Sequence, residues 1–486
     1  MKAPPVRTLL LKALENVRNS YWFVPGCMVL LALALAFLMP WLDRHHVLDP
    51  DGRFGWLSQT QTDGARAVLV TVGGSIIGVA GTVFSITIVA VSFASGNFGP
   101  RLISNFMRDR GNQLTLGTFI ATFVYCLVVL RVVHGGQSGG EDSVAYAAFV
   151  PHFSVLLALL LAIASVGVLI YFIHHVPETI NIDRLVADIG HRLNAGVIEL
   201  FPDSEEVRHG EDGQGLDGRG KGGQGKGGQG EGAVELLDTA RRKSVVTTGV
   251  SGFVQAIDLG RLEDLAAEHS LIIRLQYRPG DFVIASDPAV ELHAPEASGD
   301  EWVETIRDSF LIGRQRTEKQ NCLFLADQLV EVVARAMSPG INDPLTAMAC
   351  FNWARDAMTT FVERDTAMPV RERPWRQAAV RVRPIDFERL VGTLFDSTRQ
   401  YIAADRDVAM HALTVLAETA VRAGREEHRE ALISRMDALR QAAAEALPPT
   451  LAADVERRHD EAVRLLEDSP ERERHRDGSG WFGGSG

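Results

Sequence analysis

Thr71, Gly73, Gly74, Ser75, Gly78, Gly81, Thr82, Ser85 and Thr87 place small and hydroxyl side chains at helical spacing inside an otherwise apolar run. Hydroxyls and uncovered carbonyls on such a helix suit contact with a hydrated ion. Gly74, Gly78, Gly81, Thr82 and Ser85 are therefore candidate pore-lining positions. The same residues also let two helix backbones approach closely, and Gly74-x-x-x-Gly78 is a small-xxx-small pair. Both readings predict that this helix is central and turned away from lipid.

A second constellation lies far downstream, where Arg314, Arg316 and Gln320 precede Ser338-Pro339-Gly340-Ile341-Asn342-Asp343-Pro344. Gly340 suits a left-handed residue after a helix end. Asp343 before Pro344 suits an N-cap with proline at the first helical position. Capping accounts for the motif as a corner between two helices. The alternative is a ligand site built from Arg314, Arg316, Gln320, Asn342 and Asp343.

Other chemistry is missing. Gly215 to Lys221 matches the start of a phosphate-binding loop, but Gly222 stands where the magnesium-binding Ser or Thr belongs, and no apolar strand precedes it. No G-x-S-x-G, H-E-x-x-H or Cys/His cluster occurs, so no enzyme activity, cofactor or metal site is expected. Cys27, Cys126, Cys322 and Cys350 form no C-x-x-C pair, which fits neither zinc nor a disulfide framework and suggests a reducing cytoplasm for the soluble part. The formal net charge of −12 argues against nucleic acid as a partner.

The elements that carry the first constellation are apolar stretches at Trp22–Leu42, Val68–Phe93, Leu114–Val133 and Phe153–His175. Each approaches or exceeds the ~20 residues a helix needs to cross the hydrocarbon core, so the lipid bilayer is the first partner implied. Ala32-Leu33-Ala34 imitates a signal-peptide cleavage site, but the apolar run continues past it to Trp41, which predicts a retained anchor. Lys2, Arg7, Lys12 and Arg18 precede the first span, and Arg101, Arg108 and Arg110 follow the second. The loop after the third has Glu141 and Asp142 but no Lys or Arg. This bias predicts a bacterial inner-membrane protein with both termini cytoplasmic. Arg101–Arg110, with Leu102, Ile103, Phe106 and Met107 on one side, reads as a short interfacial helix. No Asp, Glu or Lys falls within these stretches, which weakens active transport and leaves passive conduction.

Beyond the membrane the pattern changes repeatedly. Asn181–Phe201 carries Leu185, Ile189, Leu193 and Val197 at helical spacing, and His209–Gly232 is a Gly-rich linker. Val245, Val246 and Phe253-Val254 are strand-like, Leu259–His269 reads as a helix, and Leu271–Arg278 alternates as a half-buried strand. This stretch resembles half of a biotinyl/lipoyl-type β-fold in shape, without the lysine that would carry a cofactor. Helical patterning then runs from Glu301 to about Leu466.

Tyr21-Trp22-Phe23-Val24-Pro25, Phe98-Gly99-Pro100-Arg101-Leu102 with Asn105-Phe106, Arg110-Gly111-Asn112-Gln113-Leu114, Phe172-Ile173-His174-His175 and the Ser338–Pro344 motif together resemble a bacterial family of predicted membrane proteins, domain of unknown function 2254. The resemblance runs from about residue 10 to about residue 440. It departs at Asn321, where the family pattern carries an acidic residue after the Gln of its Arg…Gln pair. It implies the membrane architecture and no particular activity.

The expected fold is mainly α: a four-helix transmembrane domain, a cytoplasmic α+β region and a helical C-terminal region. The expected boundaries are 1–180 for the membrane domain, 181–208 for a connecting helix, 209–232 for the linker, 233–300 for the α+β domain, 301–467 for the helical domain and 468–486 for a disordered tail. An oligomeric channel or passive conductance with a cytoplasmic gating or assembly domain follows, with a homo-oligomer and a small ion as partners. The alternative is a membrane-anchored sensor or scaffold that binds a cytoplasmic partner or small ligand.

Overall fold

A computed structural model describes residues 22–45, 61–98, 109–134, 149–201, 242–294, 300–367, 379–383 and 385–476. The loop after the first span, the Arg101–Arg108 part of the interfacial segment, the Gly-rich linker with its phosphate-loop match, and residues 477–486 lie outside them. The chain forms two compact units, Met1–Arg184 and Leu185–Gly486.

Four helices make the first unit: α1 (Phe23–Arg44), α2 (Thr62–Phe98), α3 (Arg110–Val132) and α4 (His152–Ile180). All four are long and apolar enough to cross a membrane. The central helix is α3, whose apolar stretch is 56% buried, against 22%, 22% and 17% for those of α1, α2 and α4. Within one chain the central span is therefore α3 and not the second span, contrary to expectation. Gly117 marks the crossing of α1 and α3, since a side chain there would meet Met28 Sδ at 2.5 Å and Pro25 Cα at 3.2 Å. Small residues at a crossing let helices pack closely where lipid supplies no hydrophobic contrast.

Polar groups hold both ends of this bundle. At one end Asp43 of α1 accepts hydrogen bonds from Phe153 N (3.1 Å), Ser154 N (3.0 Å) and Ser154 Oγ (2.6 Å), capping α4 from a neighbouring helix. Tyr125 of α3 donates to the Ser154 carbonyl at 3.1 Å. At the other end Asp109 caps α3 by accepting from Gly111 N and Asn112 N, and lies 2.8 Å from His175 Nε2 of α4. Gly111 has no room for a side chain, because an added Cβ would sit 2.5 Å from His175 Nε2 and 2.8 Å from Tyr171 Oη.

In the second unit α5 (Ile182–Glu199) is amphipathic and buries Leu185, Ile189, Leu193 and Val197. Two small sheets follow. One has the order β1 (Arg242–Thr247), β5 (Pro288–Ala294), β3 (Ile272–Leu275), β7 (Val380–Arg381); the other is β4 (Phe282–Val283), β2 (Gly252–Ile257), β6 (Phe310–Gly313). All pairings are antiparallel except β3 with β7. Val254, Leu262, Ile273, Val283, Val290 and Leu292 are fully buried between them and helix α6 (Leu259–Glu268). Strands β6 and β7 come from the region that patterning assigned to helices alone. Each has four residues or fewer, too short to stand out from the helical periodicity around it.

Helices α7 (Asp300–Asp308), α8 (Cys322–Ala336) and α9 (Pro344–Ala367) lead into the C-terminal bundle. After α10 (Phe387–Val391), a π-helical turn at Gly392–Asp396 and the short α11 (Arg399–Ile402) come α12 (Arg406–Arg422), α13 (Glu426–Ala446) and α14 (Pro449–Glu467). Of these α12 is the core helix, with Val408, Ala412, Leu413, Val415 and Leu416 fully buried. The expected tail begins instead as helix α15 (Ser469–Arg476), tied back by Arg472 Nη1 to the Leu466 carbonyl at 2.9 Å.

Candidate functional site

Two places gather residues of the kinds that sequence patterning singled out. The first is the outer face of α2. Within the chain this helix packs through Ala65, Leu69, Ile76, Ala80, Val83 and Thr87, which are buried. Gly74, Gly78, Gly81, Thr82 and Ser85 lie on the exposed side. A Cβ added at Gly74, Gly78 or Gly81 would meet no atom within 4 Å. The two hydroxyls are satisfied inside the helix: Thr82 donates to the Gly78 carbonyl at 3.2 Å and Ser85 to the Gly81 carbonyl at 2.9 Å. Such back-bonding removes the cost of an unpaired O–H while leaving oxygen lone pairs able to accept. The small-residue stripe is thus not the surface by which α2 joins its own bundle.

The second place is a cavity of about 460 Å³ in the second unit, lined by α5, the end of β2, the Pro279 turn and the start of α8. Its polar residues include Arg192, Glu199, Glu318, Gln320 and Asn321; Leu259, Leu325 and Val382 supply apolar wall. Arg192 Nη1 donates to Glu318 Oε2 at 2.5 Å, and its Nε lies 3.0 Å from Asp188 Oδ2. Gln320 has φ +55° and grips the backbone of β2, accepting from Ile257 N at 3.0 Å and donating to Ile257 O at 3.2 Å. Asn321 is buried at the N-cap of α8 but makes no side-chain cap bond. Burial pushes the Cys322 thiol up to about 11, so it is neutral at physiological pH. Burial first, then Arg389, lowers the affinity of the Arg278 guanidinium for its proton, which Asp281 at 3.7 Å partly restores.

Of the five downstream positions proposed from sequence, Gln320 alone lines this cavity. Arg314 is exposed, and Arg316 pairs with Asp327. Asn342 and Asp343 form the corner between α8 and α9. Asp343 Oδ1 accepts from Thr346 N at 3.2 Å, and its N–H donates to the Ala336 carbonyl at 2.8 Å. The left-handed residue of that corner is Asn342, with φ +50°, and Gly340 has no positive φ. The turn closes two residues later than the glycine suggested, and asparagine tolerates that conformation better than most residues. Arg192 and Asn321 escaped sequence reasoning because nothing near either one announces the other. The one available signal was the missing acid at Asn321.

The family model described as "Predicted membrane protein (DUF2254)" matches residues 18–418, most of the chain. The chain belongs to the DUF2254 family. An uncharacterised protein of Mycobacterium bovis and another of Mycobacterium tuberculosis H37Rv are each 31% identical to it over 288 residues, covering 58% of this chain and 50% of theirs. This DUF2254 chain therefore spans about half the length of the curated relatives it matches. No solved structure matches it. Two stretches that carried the resemblance meet in space: Gly111 of Arg110–Leu114 packs against His175 of Phe172–His175. Pro25, from the first such stretch, rests on Gly117 of α3. In this DUF2254 protein those motifs are the contact points of the membrane helices. Among the described residues no group of His, Cys, Asp and Glu is arranged to hold a metal ion.

Proposed function

We propose that this protein is a homo-oligomeric conductance of a bacterial inner membrane rather than an enzyme, with subunits meeting along the outer face of α2 and both termini in the cytoplasm. The observation that carries the reading is the exposed stripe of Gly74, Gly78, Gly81, Thr82 and Ser85, on the side of α2 opposite its own bundle contacts. Helices in lipid associate by close van der Waals approach at small residues, and that stripe is free for a second copy. The core of one subunit is filled by α3, so an ion path runs between copies, where the Thr82 and Ser85 oxygens can accept from a hydrated ion. The orientation rests on the basic residues at Lys2–Arg18 and Arg101–Arg110 against Glu141 and Asp142.

The test is current across a planar bilayer containing the full-length protein, alongside cross-linking of the same sample. Gly78→Leu points into open space in the subunit, so the fold survives and only contacts between copies change. Discrete current from the wild type and altered current or a smaller oligomer from Gly78→Leu is the expected result. A monomer in cross-linking, or identical current from both proteins, refutes the reading. A second reading, a membrane-anchored sensor, is favoured by the cavity of about 460 Å³ in the second unit.

A further inference from the structure

The cavity between α5 and the start of α8 has a wall and a head end of different chemistry. Leu259, Leu325 and Val382 supply apolar surface, and the volume of about 460 Å³ falls in the range of small-molecule sites. The head end holds two buried N–H groups that meet no acceptor. Asn321 is 3% exposed, yet its Nδ2 donates to nothing. That nitrogen rests beside Gly280, where a Cβ would come within 2.2 Å of it, so the glycine makes room for the amide. Arg192 is held by Glu318 through Nη1, and its buried Nη2 also makes no hydrogen bond. A buried donor without an acceptor costs about 1–3 kcal/mol, and native structures tolerate few of them.

We infer that this cavity binds a small amphipathic carboxylate, its apolar body against Leu259, Leu325 and Val382 and its oxygens accepting from Asn321 and Arg192. The inference rests on the sensor reading and names the ligand class for it. A carboxylate carries two acceptor oxygens, which matches two unmet donors on different side chains. The neighbouring charges permit an anion. Glu318 and Asp188 are both engaged by Arg192, Glu199 is exposed to solvent, and the Cys322 thiol is neutral. Arg278, 5% exposed, paired with Asp281 at 3.7 Å and close enough to act on the Cys322 thiol, adds a buried guanidinium nearby. A ligand bearing more charge, such as a phosphate, calls for more cations than these two, each of which already faces a carboxylate.

The experiment is equilibrium binding of radiolabelled hexanoate to the full-length protein in lipid nanodiscs, with empty nanodiscs subtracted. Asn321→Asp keeps the shape of the side chain and places a negative charge against the ligand. Ala195→Trp fills the cavity from an exposed rim position. The thermal transition of each variant is checked against the wild type. Saturable binding that weakens at least tenfold in both variants, and that hexanol does not compete away, is the expected result. No saturable binding above empty nanodiscs overturns the inference, as do wild-type affinity in Ala195→Trp or competition by hexanol as strong as by unlabelled hexanoate. Binding is read without any current, so a silent bilayer and an empty cavity are separate failures.

Discussion

Replacing Asp43 by alanine strips α4 of a cap that comes from a different helix. Three hydrogen bonds disappear together, from Phe153 N at 3.1 Å, Ser154 N at 3.0 Å and Ser154 Oγ at 2.6 Å. Losing an N-cap side chain costs about 1 kcal/mol, and hydrogen bonds to a charged acceptor are worth about 1.5–3 kcal/mol. Because the three bonds share one carboxylate, the expected loss is about 2–4 kcal/mol and not their sum. Ser154→Ala removes the hydroxyl bond alone and costs about 1.5 kcal/mol, the low end for a charged acceptor. That bond needs Asp43, so the double variant is no less stable than Asp43→Ala by more than about 0.5 kcal/mol. The assay is reversible unfolding of the purified protein from mild detergent into dodecyl sulfate, followed by tryptophan fluorescence. An Asp43→Ala protein within about 0.5 kcal/mol of the wild type, or a double variant in which the two losses add fully, refutes the cap.

Two further substitutions probe the second unit. Gly190→Ala puts a Cβ 2.6 Å from Trp353 Cβ and Cγ, and overpacking of that kind costs about 1–3 kcal/mol; thermal unfolding should show the loss, and the same substitution should cost less in a Trp353→Gly background, which lacks both clashing atoms. His411 has its pKa lowered, chiefly by burial and then by Arg355, against a backbone hydrogen bond at Met348 that raises it. The unfolded chain therefore takes up its proton first: stability is full above about pH 6.5 and is lost as pH falls from there through the folded value. Melting temperatures between about pH 7.5 and pH 5.5 should fall less for His411→Gln than for the wild type, and equal falls contradict the assignment.

Much of the fold is legible in local periodicity. The four apolar runs are long enough to span, and the alternation of Leu271–Arg278 marks β3. Asp343 before Pro344 marks the start of α9, as capping chemistry requires. Legibility stops where a residue acts on a distant partner. Gln320 looks like a loop residue until its amide is seen gripping Ile257, and Asp43 looks like an interfacial charge until α4 arrives beside it.

The sequence by itself determined the number of membrane helices, their lengths, the strand and helix types of most of the second unit, and the family. Only the tertiary structure decided that α3 is the central span, that the small face of α2 is left uncovered within the chain, and that Arg192 and Asn321 share a cavity. The physical reason is that local pattern reports which side chains avoid water, and in a membrane lipid and protein interior are equally apolar. Leu69 and Val70 are adjacent and equally hydrophobic, yet one is buried at 1% exposure and the other stands at 57%. Which face meets a neighbour is set by the shapes that fit, such as Gly117 against Pro25 and Met28, and those shapes exist only once the helices are side by side.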